Sequence, residues 1–204
     1  MIRMRQAQMA LATLVALSGY LRPKELIRLR KCDAIPPVAG VSVCWTLLLC
    51  PEEEMEPSKT GVFDDSLTLD SPYLQNWFPA AMSQLADSRS TERLWSFAWP
   101  SYLKVFKECR RQLGLPKLVP YMLRHSGVSI DRANHYRDAA PVQKRGRWMS
   151  HKSVARYEKA ARLAKTARSY SAELQAFLDT YAPRLEEVSL GICRSTDEMR
   201  PPYL

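Results

Sequence analysis

One segment of the chain is typical of a β-strand, whereas most of the others have helical periodicity. Residues 41–50, VSVCWTLLLC, are rich in β-branched and apolar side chains and predict a strand. An acidic loop, PEEEMEP, follows them, and residues 58–69 predict a strand that returns. Two strands joined in this way form a hairpin or a small antiparallel sheet. The sequence therefore predicts an α+β fold, mostly α, with one small antiparallel β-sheet.

Helices are predicted on both sides of this hairpin. Pro23 suits the first turn of a helix because the first N–H groups of a helix have no intrahelical partner. Gly114 predicts a helix stop, and Ser150 is the predicted N-cap of the helix that carries Tyr157. The other predicted helices are residues 3–18, 23–31, 71–87, 101–114, 120–135, 141–148 and 171–188.

The length suits one compact domain followed by a short tail. The chain has 204 residues, of which 46% are hydrophobic and 25% are charged, a composition typical of globular proteins. We expect a domain at 1–187 and a loose tail at 188–204. The N-terminal apolar run is too short to span a bilayer, and we interpret it as a core helix. A secretory signal, and with it a secreted or membrane-associated basic protein, is the alternative.

Positive charge is concentrated in one segment. Lys and Arg outnumber Asp and Glu by 30 to 21, which gives a net charge of +9. In residues 143–168 only Glu158 opposes the many basic side chains, so a solvated face with paired charges is disfavoured. A phosphate-facing surface is the better interpretation. The predicted DNA-binding residues are Lys144, Arg145, Arg147, Lys152 and Arg156.

Cysteine and histidine patterns point away from a metal centre. The five cysteines are scattered and the three histidines are not at zinc spacing. This pattern is typical of unpaired thiols in a reducing compartment. We therefore expect no metal and no cofactor.

Two segments carry a family resemblance. SGYLRPKELIRLRKCDAI resembles the first conserved box of the tyrosine recombinase (phage integrase) family, and YMLRHSGVS resembles its His-x-x-Arg-His motif. Arg22 and Arg124 then match the two catalytic arginines, and Glu25 matches the glutamate that supports the first. Tyr121 stands where the family usually has His or Lys. Because a phenol has a pKa of about 10, it is a poor proton shuttle near neutral pH.

Two further segments extend the resemblance in the family's order. In PVQKRGRWMSHKSVARYEKA, Trp148 precedes Tyr157 by the nine residues that separate a His or Trp from the family's nucleophilic tyrosine. SKTGVFDDSLTL resembles the β-hairpin segment that carries a catalytic lysine, which makes Lys59 the candidate. The resemblance implies catalysis by Tyr157, Arg22, Arg124, Lys59, Trp148 and Tyr121.

The resemblance also implies a reaction and a set of partners. It implies a site-specific recombinase or integrase that cleaves and rejoins DNA strands through a 3′-phosphotyrosyl intermediate. The expected partner is double-stranded DNA, with no membrane and with oligomerisation on DNA through the C-terminal helix. That helix has an apolar stripe from Leu174 to Leu185. We expect an intracellular, DNA-associated catalytic domain, in the nucleus of a eukaryote or the cytoplasm of a prokaryote, without the family's N-terminal core-binding domain.

Three other functions stay open at this level, and one of them is the secreted or membrane-associated basic protein described above. Tyr121 and the expected lack of the N-terminal core-binding domain favour a catalytically impaired DNA-binding relic of a mobile element. A type IB topoisomerase shares the same chemistry. Each single residue also has a structural interpretation: Arg22 can pair with Glu25 at a helix start, Lys59 can face solvent in a turn, and Trp148 and Tyr121 can be packing residues.

Overall fold

The computed structural model describes residues 1, 4, 6–58, 61–74, 78–115, 117–156 and 159–181. The fold is mostly helical with one small antiparallel sheet, as predicted. The helices in these ranges are α1 Ala7–Ser18, α2 Pro23–Arg28, α3 Phe78–Ser83, α4 Trp99–Gln112, α5 Tyr121–Ala133, α6 Ala139–Arg145, α7 His151–Ala155, α8 Ala160–Arg168 and α9 Ala172–Tyr181. The strands are β1 Ala34–Ile35, β2 Thr46–Leu49 and β3 Asp65–Thr68.

The sheet has the order β1-β2-β3, and both pairings are antiparallel. Leu47 of β2 lies opposite Leu67 of β3, and both side chains are buried. Leu49 points to the same face as Leu47 because successive side chains of a strand alternate between faces. One face of the sheet is therefore apolar and packs into the core.

The main core lies between α1, α2, the sheet, α3 and α4. The largest apolar side chains buried there include Leu26, Leu47, Phe78, Tyr102 and Phe106. Helix α1 contributes Met9, Leu11, Ala12, Val15 and Ala16. The N-terminal apolar run is thus a core helix, as we interpreted it from the sequence. None of the helices in the described ranges is both long and apolar enough to cross a bilayer.

A second, smaller apolar cluster joins α5, α6 and α7. It consists of Tyr20, Val128, Val142 and Val154, with Trp148 packed against it. Gly127 lets α5 approach the end of α1, because a Cβ at this position would lie 2.1 Å from the carbonyl oxygen of Leu17 and 2.8 Å from Tyr20 Cδ1. This close approach brings the turn between α1 and α2 against α5.

Several element boundaries differ from the sequence prediction. The strand expected at 41–50 begins at Thr46, because Gly40 adopts a left-handed φ of 76° and Val38 pairs with Ser42 in a turn. Val41 and Val43 are consequently exposed. Helix α2 ends at Arg28, since the next residues pair with the segment around Leu94, whose N–H donates to the carbonyl of Leu29. The segment 71–87 forms a single 3-10 turn at Pro72–Leu74 and then α3, with 75–77 outside the described residues.

Other local predictions are confirmed. Gly114, with φ of 65°, follows α4, and Pro141 lies in the first turn of α6. The Ser150 hydroxyl accepts the N–H of Lys152 at 3.2 Å and caps α7. This helix ends at Ala155, and Tyr157, which we expected it to carry, lies outside the described residues. Helix α9 covers the first part of the segment predicted at 171–188, and residues 182–204 lie outside the described ranges.

Candidate functional site

Arg22 and Glu25 form the first part of the site, at the start of α2. The backbone N–H of Arg22 donates to Glu25 Oε2 at 2.7 Å, and its guanidinium donates to the other oxygen of the same carboxylate. The side chain of Arg22 is 18% exposed and that of Glu25 is 6% exposed. Glu25 therefore holds Arg22 at the helix start by main chain and side chain together. One edge of the Arg22 side chain still reaches solvent.

Arg124 forms the second part of the site and comes from the first turns of α5. Its guanidinium is buried and donates to the carbonyl oxygens of Tyr20 and Gly146. Burial, followed by the nearby charges of Arg22 and Arg147, lowers its pKa to about 10. The two predicted catalytic arginines are thus close enough to repel one another, although they are distant in the sequence.

Trp148 lies against Arg124. The Cζ atom of Arg124 is 4.4 Å from the centre of the Trp148 ring, a cation–π contact. The ring folds over Gly146, where an added Cβ would lie 1.8 Å from Cζ3 of the indole. Tyr20 packs on the other part of the indole with ring centres 6.3 Å apart. Trp148 therefore packs on the arginine and on the second apolar cluster together.

Arg147 is the third guanidinium of the site. Its Nη2 donates to Glu25 Oε2 at 2.7 Å, and its Nε lies 3.6 Å from Asp65 Oδ2. Its side chain is only 6% exposed. We name Arg22, Glu25, Arg124, Arg147 and Trp148 the arginine cluster. Three arginines face the carboxylates of Glu25 and Asp65, so the cluster keeps an excess of positive charge.

Tyr121 lies at the edge of the site, on the first turn of α5, and is 46% exposed. Its ring meets that of His125 edge-on, with centres 4.9 Å apart. Burial lowers the pKa of His125, and Arg124 and Lys159 lower it further. Lys159, at the start of the segment that leads into α8, is therefore near α5.

Two predicted catalytic residues, Lys59 and Tyr157, lie outside the described residues. Ser58, directly before Lys59 in the chain, lines a cavity of about 380 Å³ together with Arg22. Lys159, which follows Tyr157 by two positions, is the residue that contributes to the His125 environment. The described neighbours of both residues thus lie near Arg22 and α5.

The predicted DNA-binding residues divide into two groups. Lys144, Lys152 and Arg156 are exposed. The side chains of Arg145 and Arg147, in contrast, are 8% and 6% exposed. These two side chains are therefore largely buried and do not form an open surface, and their predicted contact with DNA stays a prediction.

The physical reason is ion pairing inside the protein. Arg145 donates to the carbonyl of Ser18 at 2.8 Å and pairs with Asp70 at 3.1 Å, so it fixes α6 to the end of α1. Arg137 bridges Asp70 and the buried Asp131, which accepts the hydroxyl of Tyr20. The sequence could not predict the pairs with Asp70, because this residue is far along the chain from Arg137 and Arg145.

Sequence reasoning missed Tyr20 and Gly146. The carbonyl of Tyr20 accepts from Arg124 and, at 3.3 Å, from Arg147, and its hydroxyl is anchored on Asp131. Burial and the neighbouring Asp131 raise the pKa of this phenol, which stays protonated. The only local signal was the glycine of RGR, since a glycine beside a large aromatic residue permits close packing.

The arrangement can bind an anion. Guanidinium groups bind phosphate through forked, charge-assisted hydrogen bonds, and their attraction is strong where water is largely excluded. Among the described residues, no group of three or more His, Cys, Asp or Glu side chains is placed to hold a metal ion.

No protein-family model, curated protein or solved structure matches this chain significantly. A relation to the tyrosine recombinases consequently depends on the ordered motifs and is a proposal.

Proposed function

We propose that this protein is a DNA strand transferase of the tyrosine recombinase type. Tyr157 attacks a DNA phosphodiester, forms a 3′-phosphotyrosyl link and releases a 5′-hydroxyl. A second strand end then attacks the link and restores the phosphodiester. The bond between tyrosine and phosphate conserves the energy of the ester that was broken.

One observation carries this proposal. The motifs assign Arg22 and Arg124 independently to one phosphate site, and Arg147 joins them, because it shares Glu25 with Arg22 and the Tyr20 carbonyl with Arg124. Chance motif matches on unrelated helices have no reason to meet in the folded chain. The excess positive charge of the arginine cluster supports binding of an anion at the same point.

The chemistry assigns a role to each group. Arg22 and Arg124 bind the non-bridging oxygens of the phosphate and stabilise the charge that develops during attack. Positive surroundings favour the phenolate of the nucleophile. Lys59 donates a proton to the leaving 5′-oxygen. The exposed Lys144, Lys152 and Arg156 bind the flanking DNA backbone.

The nucleophile is tested with nicked duplexes of randomised sequence, which trap a covalent adduct because the released strand diffuses away. We expect wild-type protein to form an adduct that survives denaturation, and Tyr157→Phe to form none. Tyr136→Phe is the matched control, since Tyr136 is an exposed tyrosine that lies outside the family-like motifs in the sequence. The readout is labelled DNA that migrates with the protein on a denaturing gel.

Each other outcome has a definite meaning. An adduct that persists in Tyr157→Phe contradicts the assigned nucleophile. Absence of any adduct with wild-type protein contradicts strand transfer. Adducts without sequence preference, together with relaxation of supercoiled DNA, identify topoisomerase activity of the type IB class instead.

A second function is favoured by a separate observation. Both terminal nitrogens of Arg124 donate to backbone carbonyls, and the residue is 1% exposed. Such an arginine stabilises the fold even when no phosphate is bound, as in a DNA-binding relic without turnover. Salt-dependent DNA binding in the absence of an adduct selects this function.

We also propose that the protein acts inside the cell on double-stranded DNA as a homo-oligomer joined through its C-terminal helix. Leu174 of α9 is buried, and Phe177 and Leu178 are half-buried. The stripe is therefore partly covered within its own chain, and the rest of it, to Leu185, extends outside the described residues. Cross-linking with and without DNA tests the oligomer.

A further inference from the structure

Arg147 occupies an unusual backbone position. It follows α6 by two residues and has a φ of 53°, in the left-handed region that non-glycine residues rarely adopt. Backbone strain of this kind persists where the surrounding contacts compensate it, and it is frequent at functional sites. The contacts of the Arg147 side chain are therefore of interest.

Those contacts join three elements. Arg147 donates to Glu25 of α2 at 2.7 Å and to the carbonyl of Tyr20 at 3.3 Å, and it lies 3.6 Å from Asp65 of β3. It also donates to the carbonyl of Arg145 at 2.8 Å. The side chain is thus buried against α2, the α1–α2 turn and the sheet, beside the carboxylate that also holds Arg22.

Charge explains what this placement does. Burial opposes ionisation of Glu25, but the charge of Arg147, together with the hydrogen bonds and charge of Arg22, outweighs this effect and lowers the pKa of the carboxyl. If Glu25 had Arg22 as its only cation, its charge would neutralise the guanidinium assigned to phosphate. With Arg147 present, one carboxylate is shared between two guanidiniums, and Arg22 keeps net positive charge.

We propose that Arg147 is a positioning residue that acts through Glu25: it keeps Glu25 ionised and leaves the charge of Arg22 available to an anionic phosphate. This inference rests on the proposed function for its substrate. It differs from the role predicted from the sequence, in which Arg147 contacts the DNA backbone directly. The two roles give different results in a double-mutant cycle.

The first test needs no DNA and is a carboxyl-carbon NMR titration of Glu25 in wild type and in Arg147→Met. Met is also an unbranched residue with an aliphatic side chain, so the same left-handed backbone is imposed on a non-glycine residue, whereas the charge is removed. We expect the pKa of Glu25 to rise. An unchanged pKa overturns the inference, whether or not the protein cleaves DNA. Among the described residues, the charged or titratable groups that face Glu25 include Arg22 on its own helix, Arg124 on α5, Arg147, Asp65 on β3 and Cys50 after β2.

The second test measures single-turnover cleavage of the nicked duplex. We expect Arg147→Met to cleave between about tenfold and about a hundredfold more slowly, as for a misplaced catalytic group, with an unchanged dissociation constant for the same DNA. Arg147→Gly should share this loss although glycine relieves the left-handed backbone and changes stability. Equal loss in two variants of different stability separates positioning from a purely structural role.

The double variant Glu25→Gln/Arg147→Met completes the cycle and leaves no unpaired carboxylate in the buried site. If Arg147 acts through Glu25, the double variant cleaves no more slowly than Glu25→Gln alone. Additive losses, together with a salt dependence of DNA binding that falls by about one unit, would mean direct phosphate contact and would overturn the proposal. If wild type does not cleave, the proposed strand transfer fails, and the NMR titration still decides the role of Arg147.

Discussion

Arg124 is a buried guanidinium whose described hydrogen bonds go to two backbone carbonyls. Taking such a charge out of water is costly unless hydrogen bonds and nearby charges compensate it. Here Glu25 is the nearby carboxylate that favours its charged form, whereas Arg22 and Arg147 oppose it. The balance leaves positive charge where a phosphate could supply the missing compensation.

Tyr121 is the residue at which this site departs from the recombinase motif. It is half-exposed at the start of α5, so a substitution there removes little packing. An imidazole titrates near neutral pH and a phenol does not. The chemistry of this position is therefore separable from the stability of the fold.

We expect Tyr121→His to accelerate single-turnover cleavage by about tenfold or more, in the lower part of the range for general acid–base catalysis. The gain should appear near neutral pH and should leave the free energy of unfolding nearly unchanged. Met122→His is the matched control, since Met122 is the neighbouring exposed residue on the same helix. A rate that rises equally in the control, or in neither variant, contradicts a proton-transfer role for position 121.

The element that positions Arg124 is α5, and its packing on α1 depends on Gly127. Glycine is unfavourable in the middle of a helix by about 1 kcal/mol relative to alanine. It is present here because the carbonyl of Leu17 and the ring of Tyr20 occupy the space of a side chain. The close approach also places the Tyr20 carbonyl where Arg124 can donate to it.

Gly127→Ala should therefore destabilise the protein by about 1–3 kcal/mol through overpacking, despite the better helix propensity of alanine. Urea denaturation measures the free energy of unfolding. Ser126→Ala, one position earlier and only half-buried, is expected to have little effect. If Gly127→Ala lowered the free energy of unfolding no more than Ser126→Ala does, α5 would be able to move away from α1 at low cost.

At the scale of the whole molecule, buried ion pairs make stability depend on pH. Burial opposes ionisation of the Glu25 and Glu54 carboxyls. The pKa of Glu25 is nevertheless lowered by Arg147 and Arg22, and the pKa of Glu54 is lowered by Arg28 and Arg93. A carboxylate whose pKa is lower in the folded state contributes stability above its unfolded pKa of about 4.3. That contribution is lost as the pH falls through the folded-state value.

We accordingly expect the free energy of unfolding to decrease as the pH is lowered below about 5. The double variant Glu25→Gln/Glu54→Gln should be less stable near neutral pH and should show a shallower decrease. Urea denaturation at a series of pH values, at constant ionic strength, gives both curves. Parallel curves for the two proteins would contradict the assignment of the acid sensitivity to these carboxylates.

The sequence by itself determined the identity of most elements and the sign of the charge. Hydrophobic periodicity, proline and glycine positions and caps such as Ser150 act over a few residues, so α1, α4, α5 and α6 were predictable. The order of the motifs also allowed Arg22 and Arg124 to be assigned to one site. The helix signals act within a few residues, and each motif is likewise a short segment of the sequence.

Only the tertiary structure decided where individual charged side chains point. Arg145 and Arg147 belong to a basic segment, yet their side chains are buried. Arg145 pairs with Asp70 and with the carbonyl of Ser18, and Arg147 pairs with Glu25, all of which are distant in the sequence. Tyr20 acquired its role because α1 ends against α5. Burial and ion pairing depend on distances in space between residues far apart in sequence, and no local pattern encodes those distances.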